Sequence, residues 1–290
     1  MIRPTEERKR PRRIRRVRVR PITGLSFNKM IPNILTLLAL CAGMTAIRFA
    51  ISGKFEAAVI AIIIAGVLDG LDGRVARLLK ASSTFGAQLD SLSDFICFGV
   101  APGMLLYVWT MSTIGSVGWV VALLFGVCSA LRLARFNTQI GIPDPPSYAY
   151  NFFTGVPAPA AAGLALLPLC GAFEFGPTLF QSPYFCAVTT VGIAALMVSR
   201  VPTFSGKRFR VPAEYVLPMM IGVAILMAFL TTAPWPTLLV IGIGYLGTIP
   251  LSIRSFSRLK KAAEELRAAG AARAETPLLR AVDPPRGVAG

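Results

Sequence analysis

Asp69, Asp72, Asp90 and Asp94 fall in a chain whose neighbouring segments are almost uninterruptedly apolar. Ionised carboxylates are costly in such surroundings, so a viable fold must bring them to something that offsets their charge. Asp69, Asp72, Gly73 and Ala76 are spaced i, i+3, i+4, i+7, which is one face of a helix. Gly86, Asp90 and Asp94 are spaced i, i+4, i+8, again one face. Between them, residues 81–84 are polar and turn-prone. A chain that folds back there gives two antiparallel helices aiming four acidic groups at one another. The alternative is a set of solvated loop acids, which the apolar flanks and helical spacing disfavour.

Such a cluster must take up protons or hold a cation. Neither Cys nor His is at hand, and an all-oxygen donor set suits a hard ion such as Mg²⁺ or Mn²⁺. Four aspartates suffice to bridge two such ions, an arrangement suited to phosphoryl chemistry. Gly73, Ala76 and Gly86 leave room on the same faces for a bulky ligand. Arg77 adds a fixed positive charge one turn below, as a phosphate partner would.

The rest of the chain says where this cluster sits. Of its 290 residues 54% are hydrophobic, and the mean hydropathy is +0.63, too apolar for one soluble domain. Apolar segments at roughly 31–50, 55–77, 86–110, 117–136, 153–172, 184–200, 214–231 and 236–253 predict an all-α polytopic membrane protein of about eight spans. Histidine is absent, which excludes His metal ligands, Ser-His-Asp catalysis and the His-Lys-Asp chemistry of phospholipase-D-like transferases. The five cysteines, Cys41, Cys97, Cys128, Cys170 and Cys186, lie in or beside apolar runs without CxxC spacing. They are expected as buried small side chains rather than disulfides or metal ligands.

Charge orients the spans. Residues 1–29 carry eleven Lys or Arg and two Glu. Such a run can mark a nucleic-acid patch or a transit peptide. No aromatic platform accompanies it, and the next apolar run is too long for a cleaved signal peptide. It reads as a disordered cytoplasmic tail over 1–28 that touches anionic lipid and binds no nucleic acid. With that tail inside, only Arg48 and Lys54 of the 30 basic residues fall on the outer side. Eight spans with both termini cytoplasmic, as in a bacterial-type inner membrane, satisfy the positive-inside rule. The acidic cluster then opens at the cytoplasmic interface. Beyond the membrane domain at 29–253, residues 254–269 suggest a helix on the inner leaflet, and 270–290 a disordered end.

The stretch 69–94 matches D-x2-D-G-x2-A-R-x8-G-x3-D-x3-D at all eight fixed positions, Asp69, Asp72, Gly73, Ala76, Arg77, Gly86, Asp90 and Asp94. It thereby resembles the membrane-embedded CDP-alcohol phosphatidyltransferases. The first span opens I-P-N-I-L-T, by itself a capped helix start. Beside the signature it is similar to the family's entry segment, which implies that Asn33 and Thr36 help to bind a cytidine nucleotide. The resemblance also puts Ser83 near the nucleotide phosphates, with Gly73, Ala76 and Arg77 completing the CDP-diacylglycerol contacts. The runs L-R-L-A-R-F-N, F-F-T-G-V-P-A-P-A-A-A-G and S-R-V-P-T-F-S-G-K-R-F-R each allow a reading as packing or positive-inside segments. In this order after the signature they resemble the phosphatidylserine synthase branch, over roughly residues 28–212.

That resemblance implies a six-span core followed by two more helices, and a homodimer. It implies transfer of a phosphatidyl group from CDP-diacylglycerol to L-serine, giving phosphatidylserine and CMP. Asp69, Asp72 and Asp90 would hold two divalent cations, with Asp94 completing the second ion's shell and accepting the serine proton. For the serine carboxylate the expected partners are Arg135 with Asn137, then Arg132, and after them the loop carrying Lys207, Arg208 and Arg210. Glycerol 3-phosphate or inositol phosphate is an alternative acceptor. A cation-coupled transporter is an alternative of another class, since intramembrane acids also bind transported ions.

Overall fold

The computed structural model describes residues 27–139, 152–176, 179–204 and 212–280. The basic N-terminal tail, the loop with Lys207, Arg208 and Arg210, and the last ten residues therefore lie outside the described residues. The helices are α1 (Phe27–Ile51), α2 (Phe55–Leu78), α3 (Thr84–Asp94), α4 (Ala101–Trp109), α5 (Ser116–Gln139), α6 (Ala158–Ala165), α7 (Leu167–Phe175), α8 (Pro183–Val198), α9 (Val216–Thr232) and α10 (Pro234–Arg280). A π-helical segment, Phe95–Val100, joins α3 to α4 without a break. Met30–Ile51, Thr84–Trp109, Ser116–Thr138, Ala158–Phe175 and Pro234–Leu259 are long and apolar enough to cross a membrane, and α8 and α9 are shorter apolar helices. With α2, which carries the first two acids, these account for the eight segments expected from hydropathy.

Small residues decide how the first pair packs. Ala39, Ala46 and Ala50 of α1 and Ala58, Ala61 and Ala65 of α2 are all buried. Alanine at such positions lets two backbones approach closely, which suits association where lipid removes the hydrophobic drive between helices. The centre of the bundle is filled by larger side chains, Phe125, Leu105, Leu106, Met111, Leu169 and Met197. Outward-facing positions are apolar as well. Leu37, Leu38 and Met44 on α1 and Leu217, Met220 and Phe229 on α9 are exposed, a distribution that suits lipid rather than water.

Three features depart from simple spans. A two-stranded antiparallel ribbon pairs β1 (Phe152–Thr154) with β2 (Pro202–Phe204), Phe153 opposite Thr203. The fifth segment is divided at Leu166 into α6 and α7, with Pro168 in the first turn of α7, where its missing N–H costs nothing. The helix expected over 254–269 is not separate: α10 runs unbroken from Pro234 to Arg280, past the residue where disorder was expected to begin. All five cysteines are free. Four are buried as expected, but Cys41 is exposed on α1, because its helix face there points outward beside Leu37, Leu38 and Met44.

Candidate active site

The site is built where α1, α2 and α3 converge. The second half of α2 carries Asp69, Asp72, Gly73 and Ala76 on one face. The helix closes at Leu79, and Lys80 takes a left-handed conformation (φ 50°) as the Ala81 amide donates to the Ala76 carbonyl at 2.9 Å. Ser83 then caps α3, its Oγ accepting from the Gly86 amide at 3.0 Å. The expected turn over 81–84 is thus a helix C-terminus joined directly to a capped helix start. It faces Asp90 and Asp94 toward α2.

The carboxylates do meet. Ligand oxygens of Asp69, Asp72 and Asp90 all lie within 4.8 Å of one another. Asp69 also lies within hydrogen-bonding reach of both Asp90 and Asp94. The Thr36 hydroxyl, on the first turns of α1, donates to Asp72 Oδ2 at 2.5 Å, and the Ser93 hydroxyl ties α3 to α1 by donating to the Thr36 carbonyl at 3.3 Å. Asp94 Oδ1 is buried without a hydrogen-bond partner. A convergent all-oxygen set with one orphaned acceptor fits a hard divalent cation, whose charge would offset the mutual repulsion of the acids.

A cavity of about 200 Å³ adjoins the acids. It is lined by Pro32, Asn33 and Thr36 of α1, by Asp72, Gly73 and Ala76 of α2, and by Ser83, Gly86, Ala87 and Asp90. Five of the six residues expected to contact the nucleotide lipid, Asn33, Thr36, Gly73, Ala76 and Ser83, are therefore brought to one cavity. Arg77 is not among the lining residues: its Nε donates to the Gly73 carbonyl of its own helix at 3.0 Å, and the side chain is exposed. Gly86 is required by close approach, since a Cβ there would sit 2.8 Å from Asn33 Oδ1 and 3.1 Å from Ser83 Oγ. Gly73 is not crowded by protein, so its missing side chain leaves open space.

The three residues expected to hold the serine carboxylate are placed differently from one another. Arg132 lies within electrostatic range of Asp94 without pairing with it directly, and its Nε is buried without a partner. Asn137 Nδ2 donates to Ser91 Oγ at 3.0 Å, which ties α5 to the acid-bearing helix. Arg135 is engaged elsewhere: its Nη1 donates to the Val198 carbonyl at 3.1 Å and its Nη2 to the Thr154 carbonyl at 3.3 Å. It thereby pins the end of α8 and the ribbon to α5. Ser91 and Ser93 were not singled out in the sequence. They occupy variable positions of the signature, where the only cue was a hydroxyl in an apolar run.

An acid cluster beside a cavity between apolar helices suits either metal-assisted chemistry or ion binding at a membrane, and the comparisons decide for the enzyme. Residues 29–199 match the model of the CDP-alcohol phosphatidyltransferase family, and residues 214–250 match that of CDP-alcohol phosphatidyltransferase 2. The chain belongs to the CDP-alcohol phosphatidyltransferase family, and with its apolar helices it is an integral membrane protein. It is similar to the CDP-diacylglycerol–serine O-phosphatidyltransferase of Mycobacterium tuberculosis (strain H37Rv), at 41% identity over 227 residues, covering 78% of this chain and 79% of the relative. The enzyme of the same description from Helicobacter pylori (strain 26695) is 37% identical over 177 residues, 60% of this chain and 73% of the relative. The archaetidylserine synthase of Methanothermobacter thermautotrophicus is 34% identical over 173 residues, 59% and 68% of the two chains.

Proposed function

We propose that this protein transfers the phosphatidyl group of CDP-diacylglycerol to L-serine, releasing phosphatidylserine and CMP. The observation that carries this reading is similarity over 78% of the chain to a relative described as a CDP-diacylglycerol–serine O-phosphatidyltransferase, with Asp69, Asp72 and Asp90 gathered together and Asp72 and Asp90 lining the adjoining cavity. Two divalent cations, Mg²⁺ or Mn²⁺, would be held by Asp69, Asp72, Asp90 and Asp94. When bound they supply positive charge against the diphosphate and the departing CMP. Asn33, Thr36, Ser83, Gly73 and Ala76 shape the cavity for the nucleotide and its phosphates, and Arg77 would act as a phosphate partner on leaving its bond to the Gly73 carbonyl.

The acceptor enters beside Asp94. The serine oxygen forms a bond to the lipid-side phosphorus as the bond from phosphorus to the CMP oxygen breaks. The hydroxyl proton passes to Asp94, whose Oδ1 has no other partner. Arg132 lies near this carboxylate and is suited to hold the serine carboxylate, while Asn137 and Arg135 are engaged with Ser91 and with the Val198 and Thr154 carbonyls. Aspartate is the only nucleophile among the fixed positions of the signature, and its carboxylates would be committed to the cations and the proton, so attack is direct and no phosphatidyl-enzyme forms. The positive-inside distribution supports placing both termini and the mouth of the cavity on the cytoplasmic side, against anionic lipid; the domain boundaries at 28 and 253 rest on the ends of the apolar segments alone. The family resemblance supports a homodimer.

The test is an acceptor panel with purified protein, CDP-diacylglycerol and Mg²⁺ or Mn²⁺. CMP release should depend on L-serine, stop in EDTA and return with either metal. Equal release with glycerol 3-phosphate or an inositol phosphate would remove the serine assignment, and full turnover in chelator would remove the metals. A second expectation concerns Gly86. Leucine there must displace Asn33 or Ser83, so Gly86→Leu should raise the KM for CDP-diacylglycerol roughly 10-fold through crowding. An unchanged KM would place the nucleotide elsewhere.

A further inference from the structure

The last span carries a polar group that the chemistry above does not use. Tyr245 of α10 is half-buried among core side chains. It stands at the edge of an apolar cavity of about 280 Å³ that also touches Gly66 of α2 and Phe98 of the π segment. Gly66 and Phe98 are about one turn from Asp69 and Asp94 respectively, so α10 reaches the depth of the acids. It can do so because Gly242, one turn before Tyr245, packs on Leu167: a Cβ there would lie 2.5 Å from Leu167 Cδ2.

The tyrosine hydroxyl is buried and makes no hydrogen bond. Thr203 of β2 lies nearest to it; that hydroxyl donates to the Gly155 carbonyl at 2.9 Å and so cannot donate to the tyrosine, and the two hydroxyls do not meet in hydrogen-bonding geometry. Tyr245 also lies within electrostatic range of Arg132, as Arg132 does of Asp94, without a direct ion pair between them. Three neighbouring buried polar atoms, the Tyr245 hydroxyl, Arg132 Nε and Asp94 Oδ1, thus lack partners. Buried polar groups are normally satisfied, and three orphans near a reactive carboxylate are the partners that a bound polar ligand would supply. Together they offer a neutral O–H donor, a guanidinium and an acceptor. A small zwitterionic alcohol needs those partners, two donors for its carboxylate and an acceptor for its hydroxyl.

We propose that Tyr245 belongs to the acceptor pocket, its hydroxyl and the Arg132 guanidinium together gripping the carboxylate of serine while Asp94 receives the serine proton. The inference rests on the serine reading given above and adds to it a specificity residue from the eighth segment. It gives that segment a part in substrate choice rather than in anchoring alone. Tyr245 donates without adding charge, so it distinguishes a carboxylate from a methylene group while leaving the nucleotide half untouched.

Tyr245→Phe removes one oxygen and keeps the packing surface. The serine KM should rise about 10-fold or more, as expected on losing a hydrogen bond to a charged group. The kcat and the KM for CDP-diacylglycerol should stay within about twofold. Inhibition of serine transfer by ethanolamine, which has a hydrogen in place of the carboxylate, should be unchanged. A structural role for the hydroxyl would instead weaken serine, ethanolamine and CDP-diacylglycerol together, and that pattern overturns the assignment. An unaltered serine KM overturns it as well. Should wild-type protein release CMP only with an acceptor other than serine, the serine reading itself falls and this one with it. That outcome is read from wild type alone, so the two failures stay distinct.

Discussion

Replacing Asp69, Asp72 or Asp90 by asparagine should each lower CMP release by roughly 10³-fold or more, because each change removes a full charge and an anionic ligand from the metal site. The three ligand oxygens lie within 4.8 Å, too close for one residue to compensate for another. Asparagine keeps the shape of aspartate, and at position 72 its carbonyl can still accept from Thr36. Loss of activity should therefore come without loss of the fold. The measurement pairs initial rates with Mn²⁺ binding to the purified variants, at matched detergent-extracted yield and oligomer profile. Variants that retain both turnover and stoichiometric Mn²⁺ would show that the acids serve packing, and the metal assignment would have to be abandoned.

Asp94→Asn should behave differently. Asp94 is outside the tightest group of three, lies near Asp69 and within electrostatic range of Arg132, and presents a partnerless Oδ1. Removing a base costs the chemical step more than it costs substrate binding, so kcat should fall by about 10²–10⁴. The KM for CDP-diacylglycerol should move little. The neutral side chain also leaves Arg132 with no carboxylate opposite it until serine arrives, so serine binding should hold or tighten. An unchanged kcat, or a fall in nucleotide-lipid affinity as large as the fall in rate, would move the proton acceptor to another group.

What could be read from the sequence followed the range of the forces involved. The two acidic faces were legible because i, i+3 and i, i+4 spacing is set by helical geometry within a dozen residues. Ser83 was visible for the same reason, since an N-cap needs only its own next turn. Thr36 was reachable only through resemblance, as its bond to Asp72 spans 36 residues. The arginines show the boundary most clearly. Arg132 and Arg135 stand three apart at the end of one helix and carry identical local signals. Yet Arg135 is occupied by carbonyls from the ribbon and α8, whereas Arg132 has a buried, unpartnered Nε within electrostatic range of Asp94. Nothing short of the tertiary arrangement separates them. The ribbon itself joins residues about fifty positions apart, and Tyr245 lay in a span where one tyrosine among apolar residues also suits an interfacial anchor.

The π segment Phe95–Val100 carries a consequence for how this region can change. A π turn takes up more residues than an α turn, so it slips the phase of the helix that follows relative to the helix before it. In Thr84–Trp109 the part before the slip aims Asp90 and Asp94 at α2, while the part after it buries Leu105 and Leu106 in the core. One helix thereby serves two partners whose directions no single period would reconcile. Gly99, at the slip, lies against Ser129 so closely that a Cβ there would be 2.8 Å from its Oγ. Adding or deleting one residue between Asp94 and Ala101 would rotate one half against the other by about 100°. Either the acids would leave the cavity or the leucines would leave the core. The spacing from the last aspartate to the first buried leucine is therefore a fixed length, like the teeth between two meshed gears, although most side chains along it remain free to vary.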